Sequence, residues 1–185
     1  MKLIHTPIEG LFVLEPRVFP DERGYFFESY NLKTLEQLGI HDTFVQDNQS
    51  LSHEGVLRGL HFQNSPYQQA KLVRVIRGAV WDVAVDLRRN SPTLGQYYAV
   101  KLTGDNHLQF FLPQGFAHGF VTLEDHTIFA YKCSQFYHKE SEITIRYDDS
   151  TLQIPWQTPI RVVNDKDRNA MSFQEYLQNP HLLPA

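Results

Sequence analysis

The sequence predicts a mainly β fold, a single-domain jelly-roll barrel with a few short helices spanning residues 1–185. Three observations carry that expectation. Short segments with period-2 alternation recur through the middle of the chain. Helical patterning is limited to one segment near each end. The composition is aromatic and rich in turn formers, with 13 Phe, 9 Tyr, 10 Gly and 10 Pro, which suits strands joined by many turns.

Taken in order, the first strands are expected at Phe12–Arg17 and Tyr25–Tyr30, with the turn Asp21-Glu22-Arg23-Gly24 between them. Leu32, Leu35 and Leu38 follow an Asn31 cap and precede Gly39, which predicts a helix. Val56–Phe62 and Leu112–Phe120 set polar residues in apolar strand contexts. Lys71–Ile76 and Ala79–Leu87 read as neighbouring strands turning at Arg77-Gly78. In the second, Trp81, Val83, Val85 and Leu87 share one face, and Asp82, Ala84 and Asp86 share the other. Further strands are expected at Tyr97–Leu102, Gln109–Leu112, Phe120–Leu123, Ile128–Lys132 and Ile143–Tyr147. Ser91-Pro92, Gly104-Asp105-Asn106 and Pro113-Gln114-Gly115 separate several of these. Ser172 and Glu175 form a capping box that opens a last helix. A barrel of this kind is lined by every second residue of several strands.

Composition narrows the function. At 42% hydrophobic and 21% charged residues the chain is globular, and 185 residues suffice for a core without staples. A net charge of -4 with a single adjacent basic pair, Arg88-Arg89, argues against nucleic acid as a partner. Cys133 is the only cysteine, so neither an intrachain disulfide nor a Cys-clustered zinc site can form. The opening MKLIHTPIEG lacks an apolar signal-peptide core, and no run approaches the roughly 20 apolar residues of a membrane helix. A cytoplasmic protein without membrane contacts is expected.

No G-x-G and no G-x-S-x-G occurs, so dinucleotide, phosphate-loop and nucleophile-elbow chemistries have no motif. The closest of the nine histidines, His53/His61 and His118/His126, are eight residues apart. The dense ligand spacing of metal-binding cupins is therefore missing, and no metal is expected. Arg58 beside His61 points to an anion to be met. In a regular strand the two would face opposite ways, so a shared pocket requires a bulge or bend near Gly59. Singly, Lys71 reads as a snorkelling strand residue and Tyr131 as core packing. Asn164-Asp165-Lys166-Asp167-Arg168 reads as a solvated charged loop. Residue chemistry alone reaches a β-barrel with a His/Arg/Lys/Tyr interior and no visible cofactor.

Several segments together carry a resemblance. These are Asp21–Ser29, Phe44–Asn48, Val56–Phe62, Lys71–Gly78, Trp81–Arg88, Pro113–Phe120, Tyr131-Lys132-Cys133 and Asp165-Lys166-Asp167. In this order, from about Leu11 to Arg168, the chain resembles the dTDP-4-dehydrorhamnose 3,5-epimerases. The resemblance implies a cofactor-free, cupin-like jelly-roll isomerase, usually a homodimer, acting on dTDP-4-dehydro-6-deoxy-D-glucose in dTDP-L-rhamnose biosynthesis. It implies His61 as base supported by Asp167, Tyr131 as acid from the opposite face, and Lys71 as stabiliser of the enolate. Arg58 and His118 would hold the sugar and neighbouring phosphate, with Arg23 and Lys166 on the diphosphate. Glu28, Gln46, Asp47 and Asn48 would contact the deoxythymidine, Tyr137 would stack on thymine, and Glu142 would also meet substrate. A bell-shaped pH profile set by neutral His61 and protonated Tyr131 is expected. Three alternatives remain beside this reading: a C3- or C5-only epimerase or ketoisomerase on the same nucleotide sugar, a non-catalytic sugar-binding jelly roll, and a metal-dependent cupin.

Overall fold

The computed structural model describes residues 1–179 and Leu182. Thirteen strands run through these residues: β1 Lys2–His5, β2 Phe12–Glu15, β3 Phe19–Asp21, β4 Gly24–Phe26, β5 Gln46–Ser52, β6 Leu57–Gln63, β7 Lys71–Arg77, β8 Ala79–Asp86, β9 Tyr97–Thr103, β10 Gln109–Leu112, β11 Phe116–Thr122, β12 Thr127–Cys133 and β13 Glu142–Thr144. The helices are α1 Leu32–Gln37, α2 Asp165–Arg168 and α3 Phe173–Leu177.

Two antiparallel sheets make the cupin-like jelly roll. One has the order β1-β2-β10-β7-β12-β5 and the other β13-β6-β11-β8-β9, so most neighbours in each sheet come from distant parts of the chain. Val13, Val73, Val75, Phe110, Leu112 and Phe129 of the first sheet meet Val80, Ala84, Leu102, Phe116 and Phe120 of the second in one buried cluster. That apolar contact between facing sheets holds the sandwich together. On the outer side of the second sheet, Val83 and Val85 pack against Leu60, Leu152, Ile154, Phe173 and Tyr176. Strand β8 is thus covered on both faces, and its even face, carrying Asp82 and Ala84, turns inward. Outside the first sheet, Leu35 of α1 packs with Leu14, Leu72 and Phe111.

The strand cores stand where alternation predicts them, with three differences. Expected Tyr25–Tyr30 shrinks to β4, which among the described residues pairs only with β3, as Phe19↔Phe26 and Asp21↔Gly24; a two-stranded ribbon of this kind extends no farther. Expected Ile143–Tyr147 is paired only over β13, after which Ile145 makes an isolated bridge to Met171. Conversely, β1, β3 and β5 arise in segments that alternation does not mark. The helix caps form as read. The Asn31 side chain accepts from the Thr34 amide, and Ser172 and Glu175 close a capping box.

Candidate active site

Strands β6, β7, β11 and β12 bring five of the expected site residues to one cavity between the sheets. It encloses about 440 Å³ and is lined by Arg58, His61, Lys71, His118, Tyr131 and Tyr137, among others. A second cavity of about 300 Å³ adjoins it and shares His61, Lys71, Tyr131, Tyr137 and Glu142, adding Gln46. His61 belongs to the five-stranded sheet and Tyr131 to the six-stranded sheet, so the two side chains enter from opposing walls.

The bend demanded at Gly59 is present. The β6–β11 register shifts between His118 and Phe120, and Gly59 has φ +131. A Cβ there would lie 2.5 Å from the Gly119 Cα, so only glycine lets the two strands approach this closely. The shift lets Arg58 and His61 open on the same cavity despite odd spacing. Arg58 is exposed rather than buried, with its Nε donating to Ser52 Oγ at 3.2 Å. Arg58 thus stands at the cavity rim, where an anion could meet its guanidinium.

Asp167 corrects an expectation. Asn164–Arg168 is not a solvated loop: the Asn164 side chain accepts from the Asp167 amide and starts α2, and Asp167 is wholly buried. Its Oδ1 lies 2.6 Å from Nε2 of His61 and its Oδ2 accepts from the Gly59 amide at 3.0 Å. Both carboxylate oxygens are thus engaged, and among the described residues the imidazole is held with its other nitrogen unbound. Lys71, nearly buried, is pushed below the ordinary lysine value by loss of solvent, against the opposing charges of Cys133, Glu142 and Asp82. Burial pushes the Tyr131 phenol up, which keeps it protonated. Glu142 accepts from the Tyr137 hydroxyl at 2.7 Å and pairs with Lys166. Burial opposes ionisation of Glu142, but the Lys166 and Tyr137 hydrogen bonds outweigh it and hold the carboxyl low. The same hydrogen bond pushes the Tyr137 phenol up to about 12.

Strand β5 divides the Gln46-Asp47-Asn48 stretch. Gln46 and Asn48 face the cavity, hydrogen-bonded to each other at 3.0 Å, and Gln46 Oε1 accepts from the Tyr137 amide. Asp47 points to the outer face, where Lys132 donates to it at 2.8 Å. The Asp47 carboxylate thus lies on the opposite side of the strand from the Gln46 and Asn48 side chains, because consecutive strand residues face opposite ways. Arg23 and Glu28 also lie outside the cavity. Arg23 sits exposed on the β3–β4 turn, paired with Asp21, and Glu28 accepts from Asn31 at 2.9 Å.

Two residues of the site were not singled out by sequence. Asn164 lines the larger cavity as well as capping α2. Asp82 is wholly buried, 2.9 Å from Nε2 of His118; the signal for it was a charged residue inside an otherwise apolar strand. Among the described residues no group of three His, Cys, Asp or Glu side chains is arranged to hold a metal ion.

The family model described as dTDP-4-dehydrorhamnose 3,5-epimerase matches residues 5–175. The dTDP-4-dehydrorhamnose 3,5-epimerase of Methanothermobacter thermautotrophicus is 48% identical over 179 residues, covering 94% of this chain and 95% of that protein. A crystal structure of the epimerase of that name from Elizabethkingia anophelis superposes with a TM-score of 0.91 at 52% identity, covering 95% and 97% of the two chains. A dTDP-6-deoxy-D-glucose-3,5-epimerase from Legionella pneumophila, in complex with dTDP-4-keto-L-rhamnose, superposes with a TM-score of 0.94 at 49% identity, covering 99% and 97%. With the motifs, the fold and nearly the whole length in agreement, the chain belongs to the dTDP-4-dehydrorhamnose 3,5-epimerase family.

Proposed function

We propose that this protein epimerises dTDP-4-dehydro-6-deoxy-D-glucose at C3 and C5, giving dTDP-4-dehydro-L-rhamnose for dTDP-L-rhamnose biosynthesis. The observation that carries the reading is the His61–Asp167 pair, 2.6 Å apart, on one sheet, with Tyr131 entering the same cavity from the other. A ketone at C4 acidifies the hydrogens on both neighbouring carbons. In this reading His61 removes the proton from C3 or C5, and the electron pair passes to the C4 oxygen as an enolate. Asp167 supports the resulting imidazolium. The Lys71 ammonium stabilises the enolate. Tyr131 then protonates the same carbon from the opposite face, which inverts it, and solvent resets both groups before the second centre reacts.

Arg58, Lys166 and His118 would bind the phosphates and sugar, with Gln46, Asn48, Tyr137 and Glu142 towards the nucleoside. Binding energy from the nucleotide then serves to position the reacting sugar. The reading takes residues 1–185 as one domain, supported by the packing of α3 onto the outside of β8. It takes the active species as a homodimer: Arg23 and Glu28 lie away from their own cavity, and Phe19, Tyr25 and Phe26 beside them are exposed. That exposed aromatic ribbon suits delivery of Arg23 and Glu28 to a second copy. Among the described residues no helix is long and apolar enough to cross a membrane, and a nucleotide-activated substrate is consistent with cytoplasmic work.

The test is hydrogen exchange. The protein is incubated with dTDP-4-dehydro-6-deoxy-D-glucose in D₂O, and deuterium at C3 and C5 is followed by NMR. Label at both centres, with a product that a 4-keto-L-sugar reductase accepts, supports the reading. Label at one centre would make the protein a monoepimerase, and no label with the nucleotide still bound would make it a binding protein.

A further inference from the structure

Besides His61–Asp167, the cavity wall carries a second imidazole–carboxylate pair. Nε2 of His118 lies 2.9 Å from Oδ1 and 3.0 Å from Oδ2 of Asp82. His118 is 7% exposed and Asp82 0%. Among the described residues His118 is the only hydrogen-bond partner of the Asp82 carboxylate. The pair is built by register: His118 opposes Ala84 and Phe120 opposes Asp82 across β11 and β8. Phe120 and Phe129 flank the ring at 6.3 and 6.1 Å between centroids. The carboxylate is therefore sealed beneath the imidazole, which leaves Nδ1 as the polar atom of His118 not committed to Asp82. Lys71 from β7, His61 and Arg58 from β6, Tyr131 from β12 and Glu142 beside β6 line the same cavity.

We propose that Asp82 is a positioning residue that keeps a hydrogen on Nδ1 of His118, so that this imidazole joins Lys71 in donating to the C4 oxygen as it becomes an enolate. This deepens the epimerase reading and rests on it. The chemistry follows from counting protons. If the pair holds its proton on Nε2, the ring is an imidazolium and Nδ1 carries a hydrogen. If the proton sits on the carboxyl and is donated to Nε2, the neutral ring is the Nδ1–H tautomer. Both placements present a donor, and only full loss of the proton leaves Nδ1 bare. Burial favours retention of that proton, since it pushes the Asp82 carboxyl up against the opposing charges of His118 and Lys71. Two donors on one developing oxyanion share the charge more effectively than a single desolvated ammonium.

The experiment has two arms. In the intact enzyme with dTDP bound, ¹⁵N NMR of the histidine rings should show a hydrogen on Nδ1 of His118, identified by its loss in His118→Asn; a bare Nδ1 at neutral pH overturns the proposal. In the second arm, Asp82→Leu, His118→Asn and the double variant are compared. Asp82→Leu should lower kcat about a hundredfold, as loss of an oxyanion donor does, with KM little changed. The double variant should be no slower than His118→Asn alone, since Asp82 acts through that ring. Asp82→Glu should recover part of the rate. Losses that multiply in the double variant, or a loss confined to KM, overturn the proposal. If the wild type fails to exchange hydrogen at C3 and C5, the epimerase reading itself fails, a different result from an active enzyme indifferent to Asp82.

Discussion

Nε2 of His61 is bound to a wholly buried carboxylate at 2.6 Å, which leaves one ring nitrogen to meet the sugar. His61→Ala should therefore lower kcat by about 10³ or more while leaving dTDP affinity nearly unchanged, as removal of a general base does; turnover assays with isothermal titration would show it. Tyr131→Phe should separate two events. Proton abstraction, read as deuterium wash-in to recovered substrate, continues, while inverted product falls by about 10². The pH profile tests a point on which structure changes the expectation. Sequence alone assigned the alkaline limb to Tyr131, yet burial pushes that phenol up and the Lys71 amine down. These opposite shifts favour loss of the Lys71 proton as pH rises, so the alkaline fall in rate is expected to follow Lys71. Lys71→Arg, whose guanidinium stays charged, should move that limb to higher pH at a lower maximum rate; an unmoved limb would return the assignment to Tyr131. His61 was legible as a polar residue in an apolar strand context beside Arg58, whereas Lys71 and Tyr131 entered the site only through the family resemblance. Asp82 was not legible, because a charged residue on a strand looks solvated until a second sheet is known to cover it.

At the scale of elements, β5 and α2 explain why pattern reading falls short near a site. Strand β5 reads Gln-Asp-Asn-Gln-Ser-Leu-Ser, without apolar alternation, because its inward face lines a polar cavity instead of a core. Local rules fail where function needs polar residues inside. The same strand predicts contrasting variants: Asn48→Ala should raise KM for the nucleotide sugar, whereas Asp47→Ala loses only an exposed ion pair with Lys132 and should change stability by less than about 0.5 kcal/mol. Gly59→Ala should destabilise by about 3 kcal/mol in urea unfolding, since the strand backbones must part to admit the methyl group. A further element depends on Asp86, wholly buried at the end of β8, which accepts from Arg88, Ser91 and Thr93 and ties down the following turn. Burial works against its ionisation, but those hydrogen bonds prevail and hold its carboxyl low. A depressed carboxyl contributes stability that is fully present above the unfolded value of about 3.9 and is lost as pH falls through the folded one. Wild type should thus lose more stability than Asp86→Asn on acidification below about pH 4, as urea midpoints would report.

At the scale of the molecule, the ribbon β3–β4 stands with Arg23 at its tip and three exposed aromatic side chains. If a second copy receives it, equal amounts of Arg23→Ala and His61→Ala protein, each nearly inactive, should regain about a quarter of wild-type activity after subunit exchange. Half of the dimers are then mixed, and each has one site with its own His61 and its partner's Arg23; no recovery in a mixture shown to exchange would place Arg23 in its own subunit's site. The sequence by itself determined the β class, the inner and outer faces of the regular strands, the helix caps and, through its ordered motifs, the family. These depend on neighbours within a few residues or on segments matched one at a time. Only the tertiary structure decided that Asp167 is buried under His61, that Asp47 faces away, that Arg58 and His61 share a cavity through the bend at Gly59, and that Asp82 underlies His118. Each of those facts depends on which strand lies opposite which. Cross-sheet packing and register, set by the burial of the whole core, fix that arrangement, and no local period encodes it.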